Sequence, residues 1–342
     1  MSTPSHISRI AELTGPRQLR FREETLNAST LKPNEILAET ICSALSAGTE
    51  VAAWRGDPPL RPGPVYPRLV GYCNVAEVVA CGSAVTRFKP GARILTFQSH
   101  RSSFICREDE VIVMLPVGTA PVPASVTYLF HLGYSALLRG GFTPGHHVGV
   151  IGLGTIGLAT VAQAVSFGGN VHAFSDQVDG RNLALDLGAL DAWPKDHTET
   201  PKAVTAKSGG AGLDLVVTTS NRWEDWALAL RLARKGGTIC VLGFPGRTQP
   251  APPFNPLDSQ FFYDRQLTIH ACGQSPDLDV SAHDLRFTVK RNCEFLLHQI
   301  ATGKLPARRL IGSVQPWEKL PEIYDQLAHR TGHGLTSVLQ WK

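Results

Sequence analysis

Two short stretches of this chain carry residues whose types and spacing suit chemistry. The first is VGVIGLGTIGLATVAQAV, where Gly152, Gly154 and Gly157 stand as G-x-G-x-x-G directly after the apolar run Val148–Ile151. In that pattern the first glycine permits a tight turn, the second lets backbone approach a pyrophosphate, and the third allows close helix–strand packing. A helix opening there offers free N–H groups to the phosphates, which places Thr155 and Ile156 beside the cofactor with the three glycines. The strand NVHAF then ends at Ser175-Asp176, about 20 residues past the loop, where an acid accepts the adenosine ribose hydroxyls and favours NAD(H). The alternative stays open. Ser175 at the tip leaves room for a 2′-phosphate, and Arg181 could pair with it, whereas Asp176 and Asp179 would repel it. Arg181 reads equally as a solvated residue opening the helix RNLALDLGA. The expectation is NAD(H), with NADP(H) possible.

The second stretch is SALSAGTEVAAWRG, residues 43–56. Its Gly-Thr-Glu core reads as a loop near a catalytic site. Nothing in it holds a metal, and no general base stands beside an obvious nucleophile.

The elements around these stretches divide the 342 residues into more than one compact core. Up to about residue 124, short apolar runs broken by Gly and Pro (ILAETICSAL, VAEVVAC, ARILTF) indicate a β-rich domain. Residues 125–273 alternate helix and strand, which implies a parallel sheet with helices on both faces. This segment opens on a helix at Ser125–Leu138 and continues with LDLVVTTS, the helical WALALRLARKGG, TICVLGFPG and QLTIHACG. Residues 274–342 give a helix at His283–Thr302, a strand LIGSVQPW, a helix after Pro321 and a last strand TSVLQW. They read as a return to the first domain. Thr219, at the end of LDLVVTTS, and Gly243, at the end of TICVLGF, lie where ligands of open α/β sheets collect.

Composition bounds the function. Hydrophobic residues make up 43% and charged residues 18%, with a net charge of +4, which argues against disorder. The Lys and Arg residues are scattered, so nucleic-acid binding finds no support. No apolar run reaches the length of a membrane span. The first residues lack the apolar core of a signal peptide, so a cytoplasmic protein without a membrane partner is expected. The seven cysteines form no C-x-x-C pair, so neither a zinc knuckle nor a disulfide framework is indicated.

The order of parts resembles the medium-chain dehydrogenase/reductase superfamily, the alcohol dehydrogenase and quinone reductase group. The resemblance runs over nearly the whole chain and rests on GTEVAAWRG, VGYCNVAEVVACGSAVTRFKPGARI, VIGLGTIG, KGGTICVLGFPG and ATGKLPARRLI. It implies an α/β fold, a Rossmann doubly wound parallel sheet plus a GroES-like β-rich catalytic domain. It further implies hydride transfer between a nicotinamide and a small-molecule substrate in the cleft between the domains. Zinc members carry a Cys before Gly-Thr/Asp, a Gly-His-Glu, and a third ligand further on. Here the matching positions are Ala47, Gly71-Tyr72-Cys73 and Thr127-Tyr128. Catalytic zinc takes three protein ligands and an open position, so an enzyme without zinc is expected. The wording Ser-Ala-Gly-Thr-Glu is similar to the zinc-less branch that includes the bacteriochlorophyllide hydroxyethyl dehydrogenases.

The resemblance also assigns roles. Thr49 matches the hydroxyl that bonds the substrate oxygen, or else it is a turn hydroxyl. Tyr72, in place of a zinc ligand, could be a donor or general acid, or else plain packing. Glu50 matches an acid beneath the metal, which here orients a partner, acts as a base, or forms a structural ion pair. His131 falls near the nicotinamide and is suited to proton transfer near neutral pH, although a packed helix histidine is the plainer reading. His100 falls where zinc-less relatives often carry a residue at the cleft edge, and Ala52 stands at the proton-relay position. The backbone at Cys272 is expected to pass the nicotinamide carboxamide. QLTIHACG is the strand that pairs dimeric relatives, so a homodimer is expected. Trp54, Tyr66, Phe97 and Tyr134 are candidate pocket residues. The leading function is an alcohol–carbonyl oxidoreductase. A quinone or enoyl reductase and a non-catalytic dinucleotide sensor are the alternatives.

Overall fold

Short alternating runs in the first third of the chain produce antiparallel strands. The computed structural model describes residues 5–60, 65–195, 199–272, 280–329 and 335–342. Its residues fall into two units, Met1–Tyr128 with Asp277–Lys342, and Leu129–Pro276. Among the described residues no helix is long and apolar enough to cross a membrane.

In the first unit β1 (Ser5–Gly15) pairs with β2 (Gln18–Asn27). β3 (Glu35–Ala44) leads into α1 (Ala47–Arg55). Then follow β4 (Arg68–Leu69), β5 (Cys73–Cys81), β6 (Arg93–Thr96), β7 (Ser103–Arg107), β8 (Val113–Met114) and the short α2 (Pro121–Ser125). β4 lines up beside β1. β3, β5, β6 and β8 are successive neighbours of a larger antiparallel sheet, with β7 on β3. Strand β5 buries Cys73, Val75, Ala76 and Val78 with the polar Asn74, which donates to Thr40 on β3, and this buried set fixes its register against β3.

Residues 47–55 are a helix, which corrects the reading of this stretch as a loop. The local chemistry favours it. Glu50 in the first turn returns to the Ser46 backbone N–H at 2.6 Å, and Arg55 occupies the last turn. Gly56 at φ 80° closes the helix and donates to the Ala52 and Ala53 carbonyls, a position that favours glycine. Val51, Ala52, Ala53 and Trp54 are buried on it.

The second unit begins within α3 (Thr127–Arg139) and continues with β9 (His147–Ile151), α4 (Thr155–Ser166), β10 (Asn170–Phe174) and α5 (Val178–Asp186). β11 (Asp191–Trp193), α6 (Thr200–Lys207), β12 (Leu213–Thr218), α7 (Trp223–Leu232), β13 (Ala233–Val241) and β14 (Thr268–Ala271) complete it. The sheet is parallel, in the order β11-β10-β9-β12-β13-β14. Such strands, covered on both faces, read as near-continuous apolar runs. β9 buries Val148 through Ile151. The chain starts at β9, works outward through β10 and β11, and restarts at β12 on the other side. The crevice where the order reverses is where such sheets take ligands. α7 ends at Leu232, so ARKGG, read from sequence as helix, opens β13. Gly236 at φ 71° and the register shift between Leu213 and Leu215 on the neighbouring strand mark the irregular start.

The return segment gives α8 (Val289–Ala301), β15 (Ile311–Pro316), α9 (Leu320–Ala328) and β16 (Thr336–Gln340). The helix expected from His283 starts at Val289, capped by Thr288, whose side chain accepts from the Arg291 N–H. β16 pairs parallel with β15 and antiparallel with β3, so the last strands complete the first unit's larger sheet.

Candidate active site

The glycine loop has the steric form its sequence requires. Gly152 lies at φ 92°, and Gly154 is the N-cap of α4. A Cβ on Gly157 would stand 1.8 Å from the Gly152 carbonyl oxygen. Thr219 Oγ1 donates to that same carbonyl at 2.9 Å, tying the end of β12 to the loop across the sheet's reversal point. Thr155, 8% exposed, has a buried hydroxyl oxygen with no hydrogen-bond partner among the described residues. An unpartnered donor at a helix N-terminus, beside glycines that leave the backbone bare, suits a phosphate oxygen. These residues therefore fit a dinucleotide. Thr155, Ile156 and the three glycines would hold its pyrophosphate.

At the tip of β10 the Ser175 hydroxyl accepts from the Gln177 N–H, and the Arg181 guanidinium donates to the Ser175 carbonyl at 2.7 Å. Asp176 is exposed. Its carboxylate lies 3.8 Å from Lys195, which pairs at 2.8 Å with the buried Asp225. Lys195 and Asp225 were missed in the sequence, since neither sits in a motif. Gly243 packs against the backbone of Ser220, and the Cys272 N–H donates to Val241 at 2.8 Å. Both the Cys272 and Cys240 side chains are buried. His131, on α3, is also buried, and desolvation pushes its imidazole down to about 4. Near neutral pH that ring is uncharged.

In the first unit the structure brings Thr49, Glu50 and Tyr72 together at the first turn of α1. Thr49 is exposed, and among the described residues nothing beyond the backbone of its own helix and its chain neighbours lies within 4 Å of the place a Gly48 Cβ would take. The first-turn amides of a helix have no intrahelical acceptors and carry partial positive charge. The half-buried Tyr72 donates its phenol hydrogen to Ser46 Oγ. Burial pushes that phenol well above its ordinary range, with Cys73 and Glu50 adding to the rise against hydrogen bonds with Ser46 and Thr49. Tyr128 meets the Tyr72 ring edge-on at 5.7 Å and the Phe97 ring at 4.7 Å, forming an aromatic wall.

Glu50 is 2% exposed. It accepts from the Ser46 N–H at 2.6 Å and the Tyr324 hydroxyl at 2.7 Å, with His100 Nε2 at 2.9 Å. Burial works to raise its pKa, yet His100 and the other donors outweigh it and hold the carboxyl below its usual range. Of the sequence readings of Glu50, this is the structural ion pair. His100 is wholly buried and not a cleft-edge residue. Trp54 and Tyr66 leave the pocket too. Trp54 is buried in the core, its indole donating outward to the exposed Asp325, and Tyr66 donates to the Ala53 carbonyl.

These side chains do not fit a catalytic zinc. Ala47 has no side-chain ligand atom, the Tyr72 hydroxyl donates a hydrogen bond to Ser46, Thr127 donates to the Ala124 carbonyl, and Glu50 is engaged by three hydrogen-bonding partners. Among the described residues no three His, Cys, Asp or Glu side chains group to hold a metal ion.

Comparison with known proteins places these features in a wider context. Residues 155–279 match the family model described as zinc-binding dehydrogenase. L-galactonate-5-dehydrogenase of Escherichia coli (strain K12) is 26% identical over 326 residues, 86% of this chain and 88% of that enzyme. Sorbitol dehydrogenase of Bacillus subtilis (strain 168) is 25% identical over 60% of this chain and 65% of that enzyme, a match just under two thirds of its length. Among solved structures, a protein of Sinorhizobium meliloti 1021 described as a zinc-binding dehydrogenase and bound to NADP superposes with a TM-score of 0.78. It is 19% identical and covers 98% of this chain and 99% of that one. A protein of Escherichia coli CFT073 described as a short chain alcohol dehydrogenase, complexed with NADH, gives 0.80 at 16% identity over 98% and 100%.

Proposed function

The chain belongs to the medium-chain dehydrogenase/reductase superfamily, and on that premise we propose that it interconverts an alcohol and a carbonyl without a catalytic zinc. The dehydrogenase names of its relatives support the oxidoreductase class. The observation that carries the finer reading is the first turn of α1, where Tyr72 and Ala47 stand at zinc-ligand positions and Glu50 is closed off by three hydrogen-bonding partners.

A bound nicotinamide dinucleotide supplies the hydride donor or acceptor. Without a Lewis acid, charge on the substrate oxygen must be met by hydrogen-bond donors. The first-turn amides of Ala47 and Gly48, the Thr49 hydroxyl and the Tyr72 phenol are those donors; the Thr49 and Glu50 N–H groups are taken by the Ser46 carbonyl, and the phenol hydrogen turns from Ser46 to the substrate oxygen. Tyr72, its phenol protonated at neutral pH, gives the proton to the substrate oxygen in carbonyl reduction and takes it back in alcohol oxidation. Phe97 and Tyr128 offer an aromatic wall to a functionalised metabolite of small or medium size. His131 acts as a neutral ring. NAD(H) remains the favoured cofactor on account of Asp176. β14 lies at the edge of its sheet, and such an edge offers unpaired backbone groups, so assembly as a homodimer through that strand is part of the reading.

The test is hydride transfer by chelator-treated protein across a panel of ketones, aldehydes and enones, with NADH and NADPH. Ketone or aldehyde reduction by wild type, falling about 10²-fold in kcat in Tyr72→Phe with cofactor Kd unchanged, is the expected result. Turnover of enones alone would replace this reading with a conjugated C=C reductase. Dependence on added zinc would overturn it, and failure to bind either cofactor would leave a sensor or scaffold.

A further inference from the structure

Tyr72 can serve as a donor only if something holds its phenol, and the phenol rests on Ser46 Oγ, at a helix N-cap. What holds that N-cap lies below it. The Ser46 N–H is fixed by Glu50, and Glu50 is fixed in turn by His100 and Tyr324. His100 Nδ1 lies 2.8 Å from Ser43 Oγ at the end of β3. That hydroxyl oxygen already accepts from the Trp341 indole at 2.9 Å, so its own hydrogen is available for Nδ1. Both ring nitrogens are thus engaged, Nδ1 by Ser43 and Nε2 by Glu50, which fixes the orientation of the imidazole.

The same ring fills the space beside Gly71, the residue before Tyr72. Gly71, immediately before Tyr72, lies at φ 87°, and a Cβ there would stand 2.7 Å from the His100 ring atoms. The His100 backbone is locked as well, donating to Val70 at 2.8 Å and accepting from Ala11 at 2.9 Å. One buried side chain therefore borders both supports of the phenol, its backbone through Gly71 and its acceptor through Glu50 and Ser46.

We infer that His100 is a positioning residue of the oxidoreductase site, setting the direction of the Tyr72 phenol through Glu50 and Ser46 on one side and Gly71 on the other. The inference rests on the reading of Tyr72 as proton donor given above. Displacement of a donor by about 1 Å can cost around 10²-fold in rate, so losing this brace should lower kcat while leaving dinucleotide affinity, which resides in the other unit, alone.

The experiment compares His100→Leu, which fills similar volume without a donor, with His100→Gln, which can still donate to Glu50. Protein labelled with ¹³Cζ-tyrosine reports the phenol directly, the Tyr72 signal being assigned by its loss in Tyr72→Phe. The expected result for His100→Leu is a shifted or broadened Tyr72 signal and a fall in kcat of roughly 10²-fold with KM changed by less than about threefold. His100→Gln should recover about tenfold of that loss and move the signal back toward its wild-type position. A wild-type Tyr72 signal and kcat in His100→Leu would overturn the inference. If His100→Leu does not fold, His100→Gln decides: unchanged kcat and signal together with a lowered melting temperature would mark His100 as structural only. Tyr72→Phe with full activity would instead sink the proton-donor reading itself, whatever the His100 variants do.

Discussion

The carbonyl oxygen of Gly152 occupies the space that a side chain on Gly157 would need, 1.8 Å from the missing Cβ. Helix α4 can start where it does only because residue 157 has no side chain. Gly157→Ala must therefore push the helix off the loop. The expected outcome is a loss of NADH and NADPH binding by about tenfold or more, since the phosphate cradle moves with the helix. Fluorescence titration measures it, and an unchanged Kd would mean that the loop does not hold the phosphates.

Asp176 sits exposed just past the end of β10, with Lys195 at 3.8 Å. An anion there attracts ribose hydroxyls and repels a 2′-phosphate. Asp176→Ser should weaken NADH and improve NADPH, moving the ratio of their dissociation constants by about tenfold. Parallel titrations decide. A ratio that stays put would place cofactor choice elsewhere.

Lys195 and Asp225 form an ion pair in which the Asp225 side chain is only 4% exposed. Removing the lysine leaves a buried carboxylate without its closest cation. Lys195→Met should destabilise the fold by about 3–5 kcal/mol, whereas the double variant Lys195→Met/Asp225→Leu recovers most of that loss. Thermal or denaturant unfolding of the three proteins tests the pair. Equal destabilisation in the single and double variants would show that the charge itself is not the cause.

His131 is buried neutral, with its pKa near 4 against about 6.5 in an unfolded chain. A group whose folded pKa is depressed binds more protons when unfolded. Stability is therefore complete above about pH 6.5 and declines as pH falls toward 4, by roughly 3 kcal/mol for this residue alone. His131→Leu removes the term, so its stability should fall less than wild type between pH 7 and 4. Parallel pH–stability curves for the two proteins would contradict this.

The glycine loop was legible because its demands are local: Gly152, Gly154 and Gly157 answer to the turn and helix they form. The parallel sheet was legible for a similar reason, through apolar runs such as VGVI and LDLVV. Helix α1 was not, although Gly56 after Arg55, and Glu50 four residues after Ser46, both marked it. The expectation of a ligand loop hid those signs. The brace beneath α1 lay beyond reach for a different reason. His100 meets Glu50 across 50 positions, and Tyr324 meets it across 274, and no spacing rule links such residues. Trp54 illustrates the same limit, since a tryptophan beside a catalytic stretch suits a pocket or a core equally. Leu320, Ile323 and Tyr324 on α9, far along the chain, settle it as core.

That the last strands complete the first sheet has a consequence for synthesis. The unit from Leu129 to Pro276 is one continuous segment, and its final strand is translated by residue 271. It can fold while the ribosome is still at work. The other unit must wait. Until Tyr324 emerges, Glu50 lacks one of its donors, and until β16 emerges, β3 lacks a neighbour. A nascent chain that lacks β15 and β16 would thus hold the whole of the second unit while the larger sheet of the first stays open at β3.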